Sequence, residues 1–134
     1  MTLTVLPGGY AVCRLPPGAR VPAEVWRAAG GLVSVTTTPR ETSVVCPEKV
    51  VPGGAKVEAG WRVLEVAGPL DFGLTGVLAS LTVPLADAGI SVFALSTYDT
   101  DYLLVRAAHL AEAVGTLREA GQDVTLHPSA RYPD

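Results

Sequence analysis

Leu74, Val77, Leu78, Leu81 and Leu85 recur at i, i+3, i+4, i+7 and i+11, the spacing that lines one face of an α-helix with apolar side chains. Gly89 comes just after, where a glycine stops a helix in the left-handed conformation, and Ile90 to Leu95 is a nearly continuous apolar run of strand length. A helix that feeds directly into a strand commits the chain to mixed helix and sheet packing. Pro84 opposes the pattern: it has no N–H to donate to the carbonyl of Ser80, so a kink is expected in the last turn.

The elements around this core stretch complete a unit. Trp61 to Ala67 reads as a strand ended by Gly68-Pro69, and Tyr102 to Val105 as another, joined to Ile90–Leu95 as a hairpin through the polar segment Ser96 to Asp101. Leu110, Ala113, Val114 and Leu117 mark a second helix closed by Gly121, and Asp123 to Leu126 a last strand. The order βαββαβ predicts an antiparallel four-stranded sheet with both helices on one face, an α+β two-layer sandwich of ferredoxin-like topology.

Part of this pattern occurs earlier in the chain. Tyr10 to Leu15 is a predicted strand, Pro22 to Ala29 a short helix stopped by Gly30-Gly31, and Leu32–Thr37 with Thr42–Cys46 a hairpin around Pro39-Arg40. At an offset of about sixty residues Ala29-Gly30 matches Ala88-Gly89, Thr38 matches Thr97, and Val44-Val45 matches Leu103-Leu104. Pro47 to Gly60 reads as a degenerate second helix plus linker. Two units are therefore expected, a degenerate half over residues 1–60 and a complete one over 61–134.

Composition narrows the function classes. With 49% hydrophobic and 17% charged residues the chain can bury a core, and a net charge of −3 opposes the basic footprint of nucleic-acid binding. No apolar run approaches the roughly 18 residues of a membrane span, and the N-terminus lacks a signal-peptide pattern, so a cytoplasmic protein that meets no membrane is expected. Cys13 and Cys46 lie in apolar contexts with no CxxC pair, which reads as two buried, reduced thiols.

The string Asp71-Phe72-Gly73-Leu74-Thr75-Gly76, the step Ala88-Gly89-Ile90 and the hairpin Ser96-Thr97-Tyr98-Asp99-Thr100-Asp101-Tyr102 together resemble the ACT domain, a βαββαβ regulatory module of amino-acid metabolism. The likeness is to small stand-alone bacterial proteins with tandem ACT domains, and to the ACT units of the animal cytosolic arginine sensor and of aspartate kinase. It is close over about residues 61 to 127 and loose over 9 to 50, where Pro16-Pro17-Gly18 replaces the glycine-containing turn. The resemblance implies tandem ACT domains that dimerise and bind a free amino acid at a seam between domains or subunits.

The local chemistry agrees with that implication. Backbone N–H groups around Leu74, Thr75 and Gly76, at a helix start, suit the ligand carboxylate, and Asp71 suits its ammonium. Thr75, Ser96 and Thr97 offer hydroxyls, and Tyr98 or Asp99 lies within reach of the ligand side chain. Phe72 and Gly73 complete the set. Each has a plainer role as well: Asp71 as a cap, Gly73 and Gly76 as turn formers, Ser96 to Asp101 as a solvated hairpin.

Catalysis finds no comparable pattern. Asp99-Thr100-Asp101 resembles the DxD of metal-assisted sugar transfer but lacks a nucleotide-binding domain around it, and His109 and His127 have no ligand at metal spacing. A non-enzymatic amino-acid sensor without a cofactor is expected, acting on its own assembly or on a partner protein. The alternative is a structural or interaction module that dimerises or docks an enzyme with no small ligand.

Overall fold

The computed structural model describes residues 1–28, 31–71 and 73–133. They divide into two compact units, one of residues 8–61 and one of residues 1–7 with 62–133.

In the first unit, strands β2 (Tyr10–Leu15), β3 (Ser34–Thr37), β4 (Thr42–Pro47) and the opening residues of β5 (Lys56–Val66) pair in the order β3-β4-β2-β5, all antiparallel. Helix α1 (Ala23–Trp26) is one turn long and contributes Val25 to a small core with Ala11, Cys13, Leu15, Val44 and Cys46. A single 3-10 turn, Glu48–Val50, stands where a second helix was expected in degenerate form. The predicted linker beyond it is instead strand: Val57 and Glu58 pair with Cys13 and Val12 of β2. Val12 lies opposite Glu58 and Tyr10 opposite Trp61, a two-against-three register that marks a bulge. The predicted helix residue Ala29 and stop residue Gly30 lie outside the described residues.

Cys13 and Cys46 are free thiols, and the register explains why they meet. Cys13 faces Val44 and Cys46 faces Ala11, so the two are diagonal neighbours on one face of adjacent strands. Burial pushes the Cys46 thiol up to about 12, helped by the adjacent Cys13, and burial raises Cys13 as well.

The second unit contains β5, α2 (Val77–Asp87), β6 (Val92–Ser96), β7 (Asp101–Arg106), α3 (Leu110–Glu119) and β8 (Asp123–Leu126), the expected βαββαβ series. Its sheet differs from the expected one by a fifth strand. β1 (Thr2–Val5) lies between β5 and β8, antiparallel to the first and parallel to the second, giving the order β6-β7-β5-β1-β8. The alternation Thr-Leu-Thr-Val carries this strand: Leu3 and Val5 are fully buried in the core while Thr2 and Thr4 are not.

The helices cover one face of this sheet. Leu81 and Leu85 from α2 and Leu110, Ala113, Val114 and Leu117 from α3 share a core with Leu3, Leu64, Val66, Leu103 and Val105. Helix α2 runs through Pro84 to Asp87. It ends in a Schellman motif: Gly89, at φ 75°, donates to Ala86 C=O at 2.9 Å and Ile90 N–H to Leu85 C=O at 2.9 Å. Helix α3 ends the same way at Gly121, with Gln122 N–H donating to Leu117 C=O at 3.0 Å.

Candidate functional site

The loop that follows β5 and the tip of the β6–β7 hairpin are fastened together. Leu70 N–H donates to Asp99 C=O at 2.6 Å, and the buried Thr100 hydroxyl donates to Val66 C=O at 2.7 Å. Gly68 makes the approach possible, since a Cβ there would stand 2.9 Å from the Asp99 carbonyl oxygen. The hairpin is closed by Thr97 N–H and Thr97 Oγ, which both donate to Thr100 C=O, at 2.8 and 3.2 Å.

Between these two segments lies a concavity of about 210 Å³. One wall is Leu70, Asp71, Leu74 and Val77, and the other is Ser96, Thr97, Tyr98, Thr100 and Asp101. Of the residues expected from sequence it therefore brings together Asp71, Leu74, Ser96, Thr97 and Tyr98. Gly73, Thr75, Gly76 and Asp99 do not line it, and Phe72 lies outside the described residues.

Four lining residues escape the sequence reading: Leu70, Val77, Thr100 and Asp101. Asp101 had a usable signal. A two-residue turn at Tyr98-Asp99 pairs Ser96 with Asp101, and the Ser96 hydroxyl indeed donates to Asp101 Oδ1 at 2.6 Å.

The turn into α2 shows what each backbone donor is doing. Asp71 Oδ1 accepts from Gly73 N–H at 2.7 Å, and the Asp71 carbonyl accepts from Leu74 N–H at 3.0 Å. Asp71 thus caps its turn and lines the concavity at once. Leu74 N–H is consumed by this turn, a change from the expected donor set. Gly76 sits at the start of α2 with φ 75°, a conformation that glycine adopts without strain. Among the described residues nothing accepts from the N–H groups of Thr75, Gly76 or Val77, which stand at the helix start.

Charge in the concavity is of one sign. Asp71 and Asp101 are its carboxylates, and among the described residues no lysine, arginine or histidine lines it. Leu74 and Tyr98, at opposite rims, are 54% and 81% exposed. Among the described residues no group of three or more His, Cys, Asp or Glu is placed to hold a metal ion, and no helix is long and apolar enough to cross a membrane.

A family model described as the ACT domain matches residues 56–119, and another, for an N-terminal domain, matches residues 8–54. Among curated proteins the chain is similar to the cytosolic arginine sensor for mTORC1 subunit 1 of Bos taurus, 36% identical over 95 residues. That alignment covers 63% of this chain and 29% of the sensor, so the chain spans under a third of the relative's length. A solved structure of a protein from Agobacterium tumefaciens superposes with a TM-score of 0.86 at 36% identity, covering 98% of this chain and 97% of that one. The regulatory subunit of aspartate kinase from Thermus flavus superposes with a TM-score of 0.61, covering 89% and 96%. At 11% identity that likeness is one of fold alone. The βαββαβ order of the second unit agrees with the model match over residues 56–119, which hold the concavity, and this part of the chain belongs to the ACT-domain family.

Proposed function

We propose that this protein is a non-enzymatic regulatory module that binds a free amino acid in the concavity between the start of α2 and the hairpin tip. The observation that carries the reading is the composition of that concavity. A carboxylate on the turn, Asp71, stands beside the donors that begin a helix, with hydroxyls on the facing wall. An α-amino acid presents a carboxylate and an ammonium one carbon apart, which this arrangement can pair without a metal or a nucleophile. Its volume is below the roughly 300–1,000 Å³ of sites for larger ligands, which suits a small zwitterion. The similarity to an arginine sensor supports the same reading.

In this reading the Val77 N–H at the helix start donates to the ligand carboxylate, Asp71 takes the ammonium, and Ser96, Thr97 and Tyr98 contact the remainder. The protein works in the cytoplasm as a homodimer, with the exposed rims at Leu74 and Tyr98 covered by a second copy. Ligand held at that seam stabilises the joined form by mass action and passes occupancy to a partner protein. Thermal-shift titration with the twenty amino acids tests this. At a hundred times Kd the bound form gains about 2.7 kcal/mol, a rise of several degrees. Failure of every amino acid to raise Tm at millimolar concentration would refute the reading.

A second reading is favoured by the outer face of α2, where Ala79, Ser80, Val83 and Ala86 are exposed and no charge occurs before Asp87. Such a face suits an interaction module that docks a protein and binds no small molecule. Asp71→Asn separates the two, because it keeps the Oδ1 acceptor for Gly73 and removes the charge. Loss of ligand response with unchanged oligomer size supports sensing. An assembly that is indifferent both to amino acids and to this substitution supports docking.

A further inference from the structure

We infer that the sheet of the first unit carries a docking surface for an acidic segment of another protein, built on Arg14 and Lys56. It is independent of the amino-acid reading and goes beyond it, since the surface lies in the other unit.

The strand register places four side chains in one row. Thr36 of β3 is opposite Ser43 of β4, Ser43 opposite Arg14 of β2, and Arg14 opposite Lys56 of β5. All four therefore belong to one face, the one away from Cys13, Val25 and Val44, along about 14 Å at the ordinary strand spacing. Arg14, Thr36 and Lys56 are exposed and Ser43 is half-buried.

Like charges directly opposite each other on adjacent strands work against folding. Nothing in the row answers them. Among the described residues no ion pair joins Arg14, Arg40 or Lys56 to a carboxylate. The acids nearest along the chain are Glu41, in the hairpin turn, and Glu58, which lies opposite Val12 rather than in the row. Arg14 is also held in place: its Nη2 donates to Arg40 C=O at 3.0 Å, which brings the guanidinium to the turn that carries a third cation. Charge divides between the units in the same sense. Residues 8–61 hold six lysines and arginines against four acids, and the rest of the chain holds four against nine.

The chemistry of the row names its occupant. A guanidinium fork pairs with a carboxylate through two N–H bonds, an ammonium adds a point charge, and the Thr36 and Ser43 hydroxyls can donate beside them. A row this long and open suits successive carboxylates of an extended chain, whereas a small molecule is bound in a concave site that encloses it. Nucleic acid and anionic membrane call for a basic footprint that a net charge of −3 opposes.

Fluorescence anisotropy on the full chain at low salt, with a labelled glutamate–serine octapeptide and its glutamine–serine counterpart, tests the assignment. The acidic peptide should bind, the neutral one should not, and added salt should weaken the complex. Arg14→Gln combined with Lys56→Gln should weaken it about tenfold. Arg20→Gln combined with Arg27→Gln removes equal charge from exposed positions outside the row and should weaken it less than about twofold. The first pair relieves a like-charge opposition, so its Tm should equal or exceed that of the natural chain. A Tm several degrees lower would make the row structural and overturn the inference. Equal weakening by both pairs, or no binding of the acidic peptide, would overturn it too. Displacement of the peptide by sub-millimolar inorganic phosphate would replace the protein partner with a small oxyanion, and cosedimentation of the chain with phosphatidylserine vesicles would replace it with a membrane.

Discussion

Where β2 ends at Leu15, the chain turns through Pro16-Pro17-Gly18 toward a helix of four residues; where β5 ends at Val66, residues 67–76 lead to a helix of eleven. The two units share a strand plan, with the 3-10 turn Glu48–Val50 of the first standing where the second has α3. Their strands run β3-β4-β2-β5 and β6-β7-β5-β1-β8, so each first strand is flanked by its own third, and β1 is the one insertion. The difference in the turn decides which unit can hold an anion at a helix start. Pro16 and Pro17 have no N–H to donate, and a single helical turn sums too few peptide dipoles to attract charge. Gly73 N–H is spent on Asp71 Oδ1, but among the described residues nothing accepts from Thr75, Gly76 or Val77 N–H, and α2 is long enough for its start to be electropositive. One strand plan thus yields a structural unit and a candidate receptor, and the difference that bears on an anion at the helix start is the loop after the first strand and the length of the helix that follows it.

The largest effect that would sharpen this contrast concerns the cores. Leu81 in α2 and Val25 in α1 are both fully buried. Leu81→Ala should cost about 2–5 kcal/mol in urea unfolding. Val25→Ala removes fewer methyl groups from a smaller cluster and should cost less, about 1–3 kcal/mol. Equal losses would break the comparison, because they would mean that α1 anchors its unit as firmly as α2 does.

Next comes a pH dependence confined to the first unit. The Cys46 thiol is pushed up to about 12 from an ordinary 9.0, and Cys13 is raised in the same direction. A thiol that keeps its proton longer in the folded chain than in the unfolded one stabilises fully below about pH 9, and that stability is lost as pH climbs toward 12. The loss approaches about 1.4 kcal/mol per pH unit for each such thiol. Stability measured by denaturant between pH 8 and about 10.5 should fall less steeply in Cys46→Val than in the natural chain. Parallel slopes would show that other groups govern the alkaline limit.

Much of this architecture is legible in the sequence, and the reasons for the remainder are local. Strands Tyr10–Leu15 and Asp123–Leu126 were bounded by turn residues and appear at the expected positions. The start of β5 was hidden because Lys56 to Gly60 is rich in charge and glycine, while its strand character comes from pairing with β2. β1 was hidden by its length, since four residues carry too little periodicity to stand out without the partners β5 and β8. At the candidate site the string from Asp71 to Gly76 exposed one wall. Val77 was read as core stripe only, and Asp101 came to light through the register that sets it opposite Ser96.

A matched pair of glycines sharpens the loop comparison further. Gly18 and Gly76 have φ of 74° and 75°, with nothing within 4 Å of an added Cβ at either. Gly18→Ala and Gly76→Ala should therefore cost the same, about 1–2 kcal/mol, because left-handed backbone strain is the only change. Their effect on ligand response should differ. Gly76→Ala shifts the helix-start donors and should lower the amino-acid-induced rise in Tm, whereas Gly18→Ala should leave that rise intact. If both variants respond to ligand alike, the α2 start plays no part in binding.

The smallest effect on stability comes from the two most exposed aromatic side chains among the described residues. Trp26 in the first unit is 61% exposed and Tyr98 in the second 81%, so truncating either to alanine should change stability by less than about 0.5 kcal/mol. Exposure alone gives both residues the same standing; position does not. Tyr98 lines the concavity and Trp26 does not. Tyr98→Ala should weaken ligand-induced stabilisation while unliganded Tm stays put, and Trp26→Ala should change neither quantity. Should Trp26→Ala cut the ligand response as deeply as Tyr98→Ala, the receptor role could no longer be assigned to the second unit by itself, and the contrast drawn from the Pro16-Pro17 turn would fail with it.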